Sequence, residues 1–267
     1  MRRLVRRTLE DFTLAMSFMT RLPVPALAIL PSRRAAEALW AMPLAGLIVG
    51  SACGAVWICG LWLGLGSEIA SIVALAVLAA LTGAIHDDGF ADFWDGMGSS
   101  GSKEHRIEVM RDPRIGTFGS LALILLYLVL VNTVSEIASA KGAEAPGALV
   151  LDHIGLMGIL AAAAMQARAA VTIPYFLLGP AGKDGLAHTF GKPAPAQLLL
   201  TIIWPIIVSV GVFAWLGLAM ILGAIAGGLV ITVLAWRQIG GYTGDVLGAS
   251  IMTSFAGALL AVRVLVE

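Results

Sequence analysis

The sequence predicts an all-α, polytopic integral membrane protein with about seven transmembrane helices. Three observations carry that reading: a mean hydropathy of +0.92, a charged fraction of only 13%, and a succession of long apolar runs. Backbone polar groups find no water in the bilayer core, so runs of this length must be helical. They place spans at 40–64, 69–86, 118–138, 150–173, 197–216, 219–236 and 246–264. The turn expected around Leu216-Gly217-Leu218 is short enough for the fifth and sixth spans to be mistaken for one element.

Orientation follows from the basic residues. With the N-terminus inside, residues 1–38 hold Arg2, Arg3, Arg6, Arg7, Arg21, Arg33 and Arg34. Lys103, Arg106, Arg111 and Arg114 fall in the next inside loop, Arg168, Lys183 and Lys192 on or near the third, and Arg237 on the fourth. That leaves Lys141 and Arg263 outside, 2 of 17 bases, and predicts a cytoplasmic N-terminus and an outside C-terminus. Ahead of the first span, Val5, Leu9, Phe12, Met16 and Met19 recur at helical spacing beside the Arg cluster. This is the pattern of an amphipathic helix at the inner surface, and Glu10, Asp11 and Arg21 interrupt any signal-peptide core. Cys53 and Cys59 form neither a disulfide framework nor a metal motif. One membrane-embedded domain over 1–267 is expected, with 1–38 as a cytoplasmic lead-in and 87–117 as a cytoplasmic loop rich in Asp and Arg. Equal numbers of acids and bases give no indication of nucleic-acid binding.

The densest polar chemistry lies at the edge of the second span. His86-Asp87-Asp88-Gly89-Phe90-Ala91-Asp92-Phe93-Trp94-Asp95-Gly96 packs four aspartates into nine residues, with no Lys or Arg between Ala84 and Lys103. At 100° per residue, Asp88, Asp92 and Asp95 fall within a wedge about 60° wide, with Phe90, Phe93, Trp94 and Met97 opposite. Capping by Asp87 or Asp88 is the simpler explanation. Like charges without a compensating base favour a cation, and an oxygen-only donor set suits Mg²⁺. The metal candidates are therefore Asp87, Asp88, Asp92 and Asp95. His86 extrapolates to about 160°, off the wedge, and serves there only if the backbone before Gly89 is not helical.

A second polar segment, Arg106 to Gly119, contains Arg111-Asp112-Pro113-Arg114-Ile115-Gly116. Pro113 disfavours helix at Asp112, while Gly116 and Gly119 let the backbone approach a ligand. Arg111 and Arg114 offer forked donors that match phosphate oxygens, though both also serve as positive-inside anchors. A third, Gly240-Gly241-Tyr242-Thr243-Gly244-Asp245, leads into the last span, where Asp245 can cap the helix, act chemically, or both. Thr20-Arg21-Leu22-Pro23-Val24-Pro25 reads as a connector that redirects the chain. Gln166 and Arg168 lie inside the fourth span, where ionisable residues are candidates for function or for snorkelling. Asn132 reads as an interhelical hydrogen-bonding residue, and Trp40, Trp204 and Trp236 as interfacial anchors. His105, His153 and His188 show no ligand spacing.

Taken in order, His86–Asp92, Asp95–Gly98, Met110–Gly116 and Gly240–Ala249 resemble cobalamin synthase, the adenosylcobinamide-GDP ribazoletransferase family; Phe18–Pro25 and Trp40–Pro43 are similar too. The family commonly has Glu where this chain has Asp87 and Ser where it has Pro113. Beyond Gly248, where acids are common in the family, this chain reads Ser250-Ile-Met-Thr-Ser-Phe255. The resemblance implies Mg²⁺-dependent reaction of adenosylcobinamide-GDP with α-ribazole or its 5′-phosphate. The products are adenosylcobalamin or its phosphate, plus GMP, in the last assembly step of cobalamin. On that basis the aspartates of 87–95 would hold Mg²⁺, and Arg111, Arg114, Gly116 and Thr243 would bind substrate. Asp112, Asp245 and His86 are the candidates for the base. Phosphoryl transfer of this kind rests on positioning and charge neutralisation. Two other readings fit parts of the pattern. Asp92-x-x-Asp95-Gly96 partly matches CDP-alcohol phosphotransferases, without their following Ala-Arg pair, and a cation transporter could also hold clustered carboxylates.

Overall fold

The computed structural model describes residues 2–24, 36–139, 153–181 and 193–266, all helices and connectors. Lys141–Gly147, Arg33, Arg34, Lys183, Lys192 and His188 lie outside the described residues, as does the side chain of His153. The helices are α1 (Arg2–Met19), a 3₁₀ turn (Ala38–Ala41), α2 (Met42–Trp62), α3 (Gly66–Thr82), α4 (Ile85–Gly98), α5 (Lys103–Met110), α6 (Thr117–Ser139), α7 (His153–Ala169), α8 (Thr172–Leu177), α9 (Pro195–Phe213), α10 (Trp215–Gln238) and α11 (Gly244–Val266). Six stretches are long and apolar enough to cross a membrane, including α7 and α8 taken together; α3 with α4 makes a seventh only as a pair bent by 92°.

The apolar periodicity in the sequence is satisfied by close backbone packing. α7 lies at the centre, its span 83% buried, and α2 packs along it. Gly46, Gly50 and Gly54 recur every four residues on the face of α2 that meets Ala164, Leu160 and Met157. A Cβ at Gly50 would stand 2.6 Å from the Leu160 carbonyl oxygen, so glycine sets this helix–helix distance. α10 and α11 approach in the same way, with Gly227 against Thr253 and Gly223 against Gly257. Leu121, Leu125 and Leu128 of α6 and Leu199, Ile203 and Ile207 of α9 remain exposed, as an apolar solvent permits.

Two boundaries differ from the sequence reading. The break between the fifth and sixth spans falls at Ala214 (φ 49°), not at Leu216–Leu218, because Gly217 already packs against the Ser209 backbone on the returning helix. The second span ends at Thr82 rather than at 86. The α1 stripe also divides: Met16 and Met19 are buried in the core and Phe12 packs against it, while Val5 and Leu9 stay exposed.

Two of the tryptophans expected as anchors, Trp40 and Trp204, have specific partners. Trp40 Nε1 donates to Asp11 of α1 at 3.1 Å, and Trp204 Nε1 donates to the Trp40 carbonyl at 3.1 Å. Gln166 is structural, donating to the Pro205 carbonyl and to Ser209 at 2.9 and 2.8 Å. Arg168 is buried and donates to the Ala164 carbonyl one turn back. At the far end of the bundle, Glu136 of α6 pairs with Arg263 of α11.

Candidate active site

The site begins at the bend. Gly83 (φ 67°) and Ala84 (φ 56°) both adopt the left-handed conformation, which ends α3 and turns the chain out of the span. Ala84 N–H closes on the Ala79 carbonyl at 2.8 Å, and Asp88 N–H donates to the Ala84 carbonyl at 2.8 Å, opening α4. The stretch expected as a loop over 87–117 is thus mostly helical, α4 and α5 joined to α6 by short turns. Around α4, Phe90, Phe93, Tyr175, Tyr242 and Val246 form a second apolar core.

On α4 the aspartates separate as the helical angles require. Asp88 is exposed and Asp92 and Asp95 half-buried on one side, while His86 and Asp87 are buried on another. Helix continues back to Ile85, so His86 does not reach the wedge, and its Nε2 is buried without a partner. Asp87 is also withdrawn: it accepts a 2.6 Å hydrogen bond from the Tyr127 hydroxyl of α6. The unbroken helix thus places His86, expected as a base, and Asp87, expected as a ligand, off the Asp88–Asp92 face.

The wedge gains a carboxylate from the last span. Gly89 and Gly248 allow α4 and α11 to cross closely: a Cβ at Gly89 would lie 3.1 Å from Asp245 Cα, and one at Gly248 would lie 3.3 Å from Gly89 Cα. Burial, followed by the charges of Asp88, Asp245 and Asp95, pushes the Asp92 carboxyl up to about 7. Thr243, expected at the substrate, instead donates its hydroxyl to Asp245 at 3.1 Å and orients it. Among the described residues no three His, Cys, Asp or Glu side chains lie close enough together to hold a metal ion by themselves.

Asp95 has a different task. Its two oxygens accept the N–H groups of Gly116 and Gly119 at 2.7 and 2.8 Å, capping α6 from α4. A Cβ at Gly119 would stand 2.7 Å from the Ala91 carbonyl oxygen, and one at Gly116 would stand 2.7 Å from Asp95 Cγ. The close approach read from these glycines is real, but what approaches is Asp95. Gly116, expected at the substrate, thus gives its N–H to Asp95. Arg106 completes the frame by donating to the Gly96 and Met97 carbonyls at the C-terminus of α4.

The two arginines also diverge. Arg114 pairs bidentately with Asp112, at 3.0 and 2.7 Å, in an exposed turn. Hydrogen bonds from Arg114 hold the Asp112 carboxyl down at about 2, which makes Asp112 a poor base. Arg111, by contrast, lies within electrostatic reach of Asp245. An isolated parallel bridge, Pro180 to Tyr242, and the Tyr175–Tyr242 ring pair, tilted by 32° with centroids 5.1 Å apart, hold the Asp245 turn in place.

Comparisons with known proteins give the family. The family model for cobalamin-5-phosphate synthase matches residues 11–263. A Bradyrhizobium diazoefficiens protein named adenosylcobinamide-GDP ribazoletransferase is 36% identical over 246 residues, covering 92% of this chain and 90% of its own. Proteins of the same name from Rhizobium etli and Klebsiella pneumoniae are 36% and 34% identical. The Rhizobium match covers 90% of this chain and 91% of the relative; the Klebsiella match covers 91% and 95%. No solved structure matches. The chain belongs to the cobalamin-5-phosphate synthase family.

Proposed function

We propose that this protein transfers the phosphocobinamide moiety of adenosylcobinamide-GDP to α-ribazole or its 5′-phosphate, giving adenosylcobalamin or its phosphate and GMP, with Mg²⁺ as cofactor. The reading places the reaction at the cytoplasmic face of the bacterial inner membrane, where the bases of 1–38 and 103–114 would lie. The observation that carries it is the close crossing of α4 and α11 at Gly89 and Gly248, which brings Asp245 within electrostatic reach of Asp88 and Asp92.

The donor set fits Mg²⁺. It is oxygen-only, without Cys or His, and it does not form a closed cage. Mg²⁺ takes one or two protein carboxylates and fills its shell with water and phosphate oxygens. Asp88 and Asp92, one turn apart, would hold it, and the metal would neutralise charge on the diphosphate. Asp92 fits because its carboxyl, crowded by like charges, gains from a cation as partner. Asp95 keeps α4 in register with α6, so its part is to position.

Of the three candidate bases, Asp245 alone faces the wedge. Held by Thr243, its carboxylate would accept the proton of the attacking ribazole hydroxyl, with Arg111 beside it for a phosphate oxygen. The test is GMP release from adenosylcobinamide-GDP by purified protein in lipid. Release should require both α-ribazole and Mg²⁺ and stop with chelator. Release that persists in chelator, or that ignores the acceptor, would overturn the proposal.

A further inference from the structure

Beside Asp88 a cavity of about 470 Å³, its lining half polar and half apolar, opens between the end of α1 and the bend before α4. Its lining includes Ser17, Thr20, Arg21, Thr82 and Asp88. The volume suits a nucleotide-sized group. The hydroxyls of Ser17, Thr20 and Thr82 already donate to the carbonyls of Leu14, Met16 and Leu78, so they have no proton left for a ligand. Arg21 differs. Its backbone N–H is fixed to the Leu81 carbonyl at 2.7 Å, and no salt bridge engages its guanidinium among the described residues.

The bend is shaped around this side chain. Arg21 crosses the face of Gly83, where a Cβ would stand 2.6 Å from its Cγ and Cδ. Glycine at 83 therefore serves two ends: it turns the chain at positive φ, and it clears a track for the arginine into the cavity that Asp88 shares. Arg21 and Asp88 line the same cavity, and a forked cation sharing a cavity with a carboxylate suited to a metal matches a phosphate group held between the two.

We propose that Arg21 binds a substrate phosphate on the Asp88 side of the wedge, as Arg111 is placed to do on the Asp245 side. This rests on the phosphoryl-transfer reading above. The phosphate belongs either to the diphosphate donor or to the 5′-phosphate of the acceptor, and the kinetics separate the two.

The experiment uses the full chain in lipid, as wild type, Arg21→Gln and Arg21→Lys, each with a melting temperature measured first. KM and kcat are determined for the donor, for α-ribazole and for α-ribazole 5′-phosphate. Loss of a charge-assisted pair should raise KM by about tenfold in Arg21→Gln. Arg21→Lys, which keeps the stem over Gly83 and the charge but loses the fork, should show a smaller rise. A KM rise confined to α-ribazole 5′-phosphate assigns the acceptor's phosphate; a rise for the donor with both acceptors assigns the diphosphate. Unchanged KM for all three substrates in folded variants overturns the proposal, and if Arg21→Gln does not fold, Arg21→Lys alone decides. Should the wild type release no GMP, the activity reading fails. Arg21 is then tested by calorimetry with inorganic phosphate, where equal binding to wild type and variant overturns it.

Discussion

Replacing Asp95 by Asn and, separately, Asp92 by Asn should split two carboxylates that the sequence places in one wedge. Asp95 receives two backbone N–H groups, at 2.7 and 2.8 Å, from the start of α6. An Asn in its place can accept one of them through Oδ1 and must turn its own N–H₂ toward the other. One charge-assisted bond is lost and a donor is left facing a donor, a cost of about 2.5–6 kcal/mol from about 1.5–3 kcal/mol for the bond and about 1–3 kcal/mol for the unmet group. Asp92 is the reverse. Its carboxyl is pushed up to about 7 by burial and by Asp88, Asp245 and Asp95, so a neutral amide of the same size removes repulsion. Thermal unfolding in detergent, followed by tryptophan fluorescence, should show Asp95→Asn clearly destabilised and Asp92→Asn at or above wild type in metal-free buffer. Equal stability of Asp95→Asn and wild type, or a large loss in Asp92→Asn, would refute the division of labour between anchor and ligand.

Three further outcomes follow from the same geometry. The folded-state carboxyl of Asp92 lies near 7 against an ordinary 3.8, so between those values the folded chain holds a proton that the unfolded chain has lost. Metal-free stability should therefore decline as pH rises through that window. Mg²⁺ must displace that proton, so its apparent affinity, measured by titration, should rise about tenfold from pH 6 to pH 8; a flat profile contradicts the assignment. Arg111→Lys should lower kcat/KM for the diphosphate donor about tenfold, whereas Arg114→Lys, whose partner is Asp112, should be nearly silent; the opposite ranking would return the clamp to Arg114. In a background with Cys53 and the exposed Cys59 replaced, external thiol reagents should label Gly142→Cys and spare Ser100→Cys; labelling of Ser100→Cys reverses the proposed orientation.

The apolar runs and the 100° spacing made the bundle and the Asp88–Asp92–Asp95 face legible, because both depend on periodicity within one helix. Long-range partners were not legible. Asp87 faces Tyr127, 40 residues away, and Asp95 caps a helix that begins at Thr117; no local pattern signals either pairing. Asp245 reaches the wedge through Gly89 and Gly248, and glycine spacing in two separate segments does not reveal that they cross. Gly46, Gly50 and Gly54 did carry a readable signal, a small residue every four positions, which marks the face that meets α7. The bend at Gly83–Ala84 escaped because alanine at positive φ has no compositional mark, and Arg21 passed for a simple connector residue because its track lies over that bend. Gly116 and Gly119 point in the sequence to a close approach and in the structure lie against Asp95 and Ala91, since a glycine records how near its neighbour comes but not what it is.

The claim that the Asp88–Asp92–Asp245 meeting point carries out phosphoryl transfer is tested most directly by turnover in lipid. Wild type, Asp92→Asn and Asp245→Asn are supplied with Mg²⁺, adenosylcobinamide-GDP and α-ribazole, and GMP and cobalamin are quantified together. The wild type should yield the two products in equal amounts. Both variants should melt as cooperatively as the wild type and yield neither, a drop of about a hundredfold or more for a lost metal ligand or a lost general base. Turnover within a few-fold of wild type in either folded variant would contradict the account.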